Sequence, residues 1–197
     1  ADMAAQGKKA GLRITSYDGD CCGGSFVPSF HKTATPNIVV SCNGWEIPRY
    51  WDISYKNAWE QLVKAFGARY NNDPRVAWIE TSAGVWGETA PAEDEYDDCL
   101  QAAGLSSQGW TSYVNWTTDV YKAAFPSKQL LLQYAPRFLS RNERRQYTEY
   151  AASKGLGLKH NGLRQDGGGD MYITDPQQPE YLAGQYDPFA LYGDKVA

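Results

Sequence analysis

The 197-residue sequence predicts an α/β fold and, within it, a partial (β/α)8 barrel, with about four βα units in one domain spanning residues 1–197. Three observations predict it. Val76 to Ile79 and Gln129 to Tyr134 are largely apolar runs without alternation, the pattern of parallel strands buried on both faces. Segments long enough for a parallel crossover separate the strands. Each strand also ends in polar or aromatic groups: Ser16 and Tyr17, Glu80 and Thr81, Gln133 and Tyr134, His160 and Asn161. Delivery of such groups at one end is the pattern of a barrel mouth. An open doubly wound sheet fits the alternation too, but no strand leads into GxGxxG or a P-loop. A whole barrel has eight strands in ~250 residues, and this chain offers four major ones.

The elements follow in order. Ala1 to Lys9 reads as the last turns of a helix, closed near Gly7. Gly11 to Ser16 is a strand ending in the loop Tyr17-Asp-Gly-Asp-Cys-Cys-Gly-Gly24. Ser25 to Pro48 is turn-rich, with a minor strand at Ile38 to Val40. A helix from about Ser54 to Tyr70 places Ala58, Leu62, Ala65 and Phe66 on one face. The turn Asn71-Asn-Asp-Pro74 precedes the strand at Val76. Pro91 to Ser107 is acidic and loop-like with one short helical turn. A second helix spans Gly109 to Ala124 and is stopped by Pro126. After the strand Gln129 to Tyr134, a third helix covers Ser140 to Lys154. Its signals are a Ser-x-x-Glu capping box (Ser140, Glu143) and a closing Gly155. Gly157 to His160 is the fourth strand. The tail from Gln165 onward carries little periodicity.

Composition narrows the partners. A net charge of −4 and a pI near 5.2 make nucleic acid an unsuitable ligand. No run approaches ~18 apolar residues, so no membrane-spanning helix is expected. The 7 Trp, 14 Tyr and 6 Phe fall largely in loops, which suits either a carbohydrate-binding surface or ordinary core and rim packing. The cysteines Cys21, Cys22, Cys42 and Cys99 lack zinc-ligand spacing, and no cofactor or metal is expected. Cys42 is near enough in sequence to bridge Cys21 or Cys22. Such a disulfide fits a secreted or periplasmic protein, and free thiols fit a reducing compartment. The sequon Asn115-Trp-Thr117 falls inside a predicted helix and carries little weight.

The segment Arg75-Val-Ala-Trp-Ile-Glu-Thr-Ser-Ala-Gly-Val-Trp-Gly-Glu88 holds the chemistry. It joins two carboxylates, two indoles and two glycines at a strand end. Indoles stack on pyranose faces, and a carboxyl group beside them can move a proton. Glycosidic hydrolysis needs two carboxylic groups, ~5 Å apart for retention or ~6.5–9.5 Å for inversion. Glu88, preceded by Trp86 and Gly87, is the candidate proton donor; otherwise it is a solvated loop carboxylate. Glu80 is the rival, or else the buried partner of an arginine such as Arg13. Trp45, Trp51 and Trp86 are candidate sugar platforms. Tyr134, Arg137, His160 and Asn161, at or just past strand ends, are candidate ligands for sugar hydroxyls. The acidic run Glu93 to Asp98 reads as a solvated loop without EF-hand spacing.

The motifs "IPRYWDISY", "FGARYNNDPRVAWIE" and "GVWGE" resemble bacterial (β/α)8 glycoside hydrolase-like proteins of the β-galactosidase type and related uncharacterised barrel families. The resemblance runs over roughly Gly11 to Arg164 and is most specific over Pro48 to Glu88. It implies that the chain corresponds to the third to sixth βα units, with the acid/base carboxylate at the end of the barrel's fourth strand, where Glu80 and Glu88 lie. The chain departs from the pattern in two ways. Neither glutamate follows an asparagine, and the seventh strand, expected to carry the nucleophile of retaining members, is absent. The expected ligand is therefore an oligosaccharide or polysaccharide, cleaved in a glycoside hydrolase or only bound in a non-catalytic barrel. A third expectation is a structural or assembly role, in which unclosed sheet edges pair with another copy or with the remaining part of the barrel.

Overall fold

A computed structural model of the chain describes residues 4–35, 37–134, 136–161 and 172–193. Its centre is a four-stranded parallel sheet. The strands are β1 (Ala10–Leu12), β4 (Val76–Thr81), β5 (Gln129–Gln133) and β6 (Gly157–Lys159), in spatial order β1-β4-β5-β6. Two further strands, β2 (Val39–Cys42) and β3 (Trp45–Pro48), form a separate antiparallel hairpin. The helices are α1 (Ser29–Ala34), α2 (Ile53–Tyr70), α3 (Asp97–Ala102), α4 (Ser107–Ala124), α5 (Arg141–Ser153) and α6 (Asp187–Tyr192). The α/β class holds, and the described residues form an open sheet.

The first strand is shorter than the expected Gly11 to Ser16, and its start is a 3-10 turn at Ala4–Gln6 rather than a longer helix. Residues 1–3 of that expected helix, and 165–171 and 194–197 of the tail, lie outside the described residues. The remainder of the tail does contain a helix, α6, with Pro188 in its first turn.

Local chemistry explains the helix ends. The Asp52 carboxylate accepts the Ser54 N–H at 2.8 Å, and the Ser106 hydroxyl accepts the Gly109 N–H at 3.0 Å. At α5 the Ser140 hydroxyl caps Asn142, while the Glu143 carboxylate reaches back to the backbone N–H groups of Phe138 and Leu139. This is a capping box shifted outward by one to two residues.

Helix α2 buries Tyr55, Trp59, Val63 and Gly67, an i, i+4 stripe. This corrects the expected face. Leu62 is 50 % exposed and Ala65 is exposed, because two aromatic rings, not the smaller aliphatics, fill the space toward α4. Gly67 is required there: a Cβ would lie 2.4 Å from the Ala124 carbonyl oxygen, so the two helices touch backbone to backbone. Trp110, Tyr113 and Tyr121 of α4 are sealed beneath, with Tyr50 packed edge-on against Trp110.

Among the described residues, α4 and α5 pack on one side of the sheet. Helix α4 covers β4 and β5, α5 covers β6, and α2 and α5 flank α4. Ile79, Thr81, Leu130 and Leu132 face this layer and are buried. The opposite face presents Trp78 and Glu80 of β4, Gln129, Leu131 and Gln133 of β5, and Lys159 of β6. Trp78 is 37 % exposed there.

The cysteines pair differently from expectation. Cys42 joins Cys99, 57 positions away, tying the hairpin to α3, and Cys21 joins its neighbour Cys22. The packing of α3 against β2 brings Cys99 to Cys42, a proximity that sequence distance conceals.

Candidate functional site

The C-terminal ends of the parallel strands assemble one polar network. After β4 the chain enters a segment, Ser82 to Ala92, in which every residue but Trp86 is buried. Part of its backbone is bonded within the segment: Gly84 and Val85 donate to the carbonyls of Glu88 and Ala90, and Glu88 donates to Val85, while Trp86 donates to the Tyr17 carbonyl. Gly84 cannot be replaced without movement, since a Cβ would fall 1.8 Å from the Ala90 oxygen. Trp86 and Gly87 both take left-handed backbone angles, φ 53° and 76°. The reversal turns Glu88 back over the sheet.

Glu88 is buried, and its Oε1 accepts two amide hydrogens at 2.7 Å each, from Gln133 Nε2 and Asn161 Nδ2. Gln133 is fully buried, and its own carbonyl oxygen accepts from Arg13 at 2.8 Å. Arg13 in turn lies 3.7 Å from Glu80 Oε2. The other oxygen of Glu80 accepts from Lys159 at 2.8 Å and from the Trp78 indole N–H at 3.4 Å. Residues from the ends of all four strands thus meet in one chain: Lys159, Glu80, Arg13, Gln133, Glu88, Asn161.

Glu80 is therefore the partner of Arg13, one of the two roles open to it from the sequence, with Lys159 as a second cation. Lys159 reaches from β6 across β5 to β4 on the open face of the sheet. Glu88 differs in kind. Among the described residues it touches no cation, and both its donors are neutral amides on one oxygen. Among the described residues, Oε2 of Glu88 has no hydrogen-bond partner.

The other sequence-predicted residues are placed as follows. Trp86 donates its indole N–H to the Asp18 carbonyl at 3.0 Å, locking the loop after β4 to the loop after β1. Glu93 strengthens that lock by accepting from the Asp20 N–H and from the Tyr17 hydroxyl. Glu93 is thus half-buried and bonded, not part of a wholly solvated run. Tyr134 is fully buried, its hydroxyl donates to the Gln185 carbonyl, and burial pushes its phenol well up. His160 stands edge-on to Tyr134 and Tyr186. Among the described residues both its buried ring nitrogens lack a hydrogen-bond partner, and burial, then the Arg144 charge, pushes its pKa down. Arg137 donates to the Phe138 carbonyl. Trp45, on the hairpin, packs over Gly24, and Trp51 carries the Arg49 guanidinium on its ring. Neither of these two tryptophans is hydrogen-bonded to the carboxylate network.

Sequence reasoning placed Gln133 at a strand end and Trp78 beside the carboxylates without giving either a role, and it did not name Lys159. A signal existed for Gln133: a polar residue closing a leucine run must be buried with partners. Among the described residues no group of histidine, cysteine or carboxylate side chains has the arrangement of a metal site, and no helix is long and apolar enough to cross a membrane.

No family model, no curated protein and no solved structure matches the chain.

Proposed function

We propose that the chain is a carbohydrate-active portion of a (β/α)8 barrel, with hydrolysis of a glycosidic bond as its chemistry and Glu88 as the proton donor. One observation carries this reading. Glu88 sits at the strand ends with Oε1 gripped by two neutral amides and, among the described residues, no hydrogen-bond partner on Oε2. In the acid form, Oε1 is the carbonyl oxygen that accepts both N–H groups, and the Oε2 hydroxyl donates to the leaving glycosidic oxygen. Once the proton has left, the same two amides stabilise the carboxylate. Asn161, exposed at its outer side, borders the space in which an oligosaccharide or polysaccharide would lie. Two disulfides among the described residues support a secreted or periplasmic setting.

A second reading is favoured by Glu80. Both its oxygens are engaged by cations or an indole N–H, so it is a fixed counter-charge rather than a nucleophile or a base. A site with one free carboxylate binds sugar without cleaving it, the non-catalytic alternative. One experiment separates the two. Turnover of a panel of aryl glycosides is measured for the wild-type chain and for Glu88→Gln, alongside glycan-array binding of both. Hydrolysis predicts a loss of turnover of ~10²–10⁴-fold with binding retained. Binding without turnover in the wild type supports the second reading, and neither binding nor turnover removes both.

A further inference from the structure

Arg13 can donate hydrogen bonds but accept none, since a guanidinium carries N–H groups only. Its Nη1 meets Gln133 at 2.8 Å, so the atom of Gln133 that faces it is the carbonyl oxygen. The amide NH2 then faces the other way, onto Glu88 Oε1 at 2.7 Å. Gln133 is wholly enclosed, so each end of its amide depends on a protein partner. A reversed amide would set its NH2 against the Arg13 N–H groups, donor against donor.

Arg13 is itself held in place. Its stem lies on Gly87, where a Cβ would stand 2.7 Å from Arg13 Cδ. Its contact with Glu80 is the longer one, 3.7 Å, while Lys159 holds Glu80 at 2.8 Å. The guanidinium therefore gives its short bond to Gln133 rather than to the carboxylate. Asn161, the second donor to Glu88 Oε1, has no such lock: it is exposed, and water can satisfy either orientation of its amide.

A protonated carboxyl group has one hydroxyl and one carbonyl oxygen. A hydroxyl at Glu88 Oε1 would point its hydrogen at the fixed NH2 of Gln133. We propose that Arg13 is a positioning residue that decides which oxygen of Glu88 carries the proton: by fixing the Gln133 amide it keeps Oε1 an acceptor and assigns the hydroxyl to Oε2. The inference rests on the reading of Glu88 as proton donor given above. The proton leaves Oε2 for the glycosidic oxygen, and the carboxylate that remains keeps its two amide bonds on Oε1, so neither Gln133 nor Arg13 has to turn. With Arg13 removed, Gln133 can reverse, and Glu88 can then donate inward from Oε1 to the Gln133 oxygen, which holds the proton away from a substrate.

Two measurements on the full chain test this. The first needs no substrate. Glu88→Gln replaces the acid form by an amide of the same shape, and NMR follows the side-chain amides at neutral pH. One set of Gln133 side-chain signals is expected in Glu88→Gln, and again when Arg13→Lys is added. A second set is expected when Arg13→Met is added instead. The other measurement compares turnover of alkyl glycosides, whose alcohols leave only when protonated, with that of nitrophenyl glycosides, whose phenols leave without a proton. Arg13→Met should lower kcat ~10-fold on the first class and by no more than ~2-fold on the second, with KM unchanged. Arg13→Lys, which keeps a donor that cannot accept, should recover most of the loss. Arg13→Gln, which adds an acceptor, takes the place of Arg13→Met if circular dichroism finds the latter unfolded. A Gln133 amide that keeps a single orientation without Arg13 overturns the proposal. An equal loss of kcat on both classes of glycoside does so too, since it would make Arg13 a structural residue only. Absence of turnover in the wild-type chain would remove hydrolysis as its activity, and the amide spectra would still decide what Arg13 fixes.

Discussion

Gln133 donates its amide N–H to Glu88 at 2.7 Å while wholly enclosed, and its other end accepts from Arg13 at 2.8 Å. One neutral side chain thus couples the two halves of the polar network. Gln133→Leu removes both bonds, taking one of the two amide donors from the buried Glu88 and an acceptor from Arg13. The expected loss is ~2–4 kcal/mol, read as a lower denaturation midpoint at an unchanged slope. A midpoint within error of the wild type would mean that water replaces both contacts.

Glycine positions separate strain from crowding. Gly44 in the Asn43-Gly44 turn has φ 87° and open space around it, so Gly44→Ala should cost ~1 kcal/mol from backbone strain alone. Gly84 has no left-handed angle, but a Cβ would overlap the Ala90 oxygen, so Gly84→Ala should cost ~3 kcal/mol or more. Thermal melts of the two variants should therefore differ clearly in this order; equal shifts would contradict the packing described around Ser82 to Ala92.

The Cys42–Cys99 bridge closes a long loop. With 57 positions between the cysteines, loop-closure entropy assigns it about 4 kcal/mol. Cys42→Ser with Cys99→Ser should lower the melting temperature sharply, and mass spectrometry of a tryptic digest should find the wild-type pair linked. A digest pairing Cys42 with Cys21 or Cys22 would restore the linkage expected from sequence proximity.

Asp97, in the first turn of α3, has its carboxyl pushed up to about 7, by burial first and then by the Asp94 charge, against a lowering by Arg137 and further raising by Glu143 and Asp98. In the folded chain it holds its proton to higher pH than in the unfolded one. The native state then binds more protons between about pH 4 and 7, and stability falls as pH rises through that window. Asp97→Asn should be neutral near pH 4 and stabilising near pH 8, by roughly 1 kcal/mol after allowance for solvent screening. A difference independent of pH would remove Asp97 as the cause.

His160 acts in the opposite sense. Its pKa is lowered by burial and by Arg144. The unfolded chain takes up the proton first as pH falls below the ordinary histidine value, so this part of the stability is lost on acidification. His160→Phe should flatten the melting profile between pH 7 and about 5; an unaltered profile would place the titration elsewhere.

Much of the fold was legible because its signals are local. Helix α2 begins within a residue of expectation, since Asp52 caps it, and the Asn71-Asn-Asp-Pro74 turn ends it. Strands β4 and β5 announce themselves as apolar runs. The face of α2 was misjudged because Tyr55 and Trp59 carry polar atoms yet bury more area than Leu62. The hairpin was half seen, although Asn43-Gly44 marks its turn. Of the candidate site, Glu80, Glu88 and Asn161 were legible as polar groups at strand ends. Lys159 was not, because its role depends on strand order, which places its side chain across β5 from Glu80. Trp45 and Trp51 were drawn in by residue type alone, and the fold places them on other contacts.

The enclosure of Ser82 to Ala92 has a consequence for change over time. A stretch in which every residue but Trp86 is enclosed by protein has no slack for an added or deleted residue. Natural length variation in this chain should accumulate instead where the backbone is bathed in water, as at Pro28 to Thr35. Isotope labelling should report the same contrast, with deuterium entering the second stretch rapidly and the first only when the sheet itself opens.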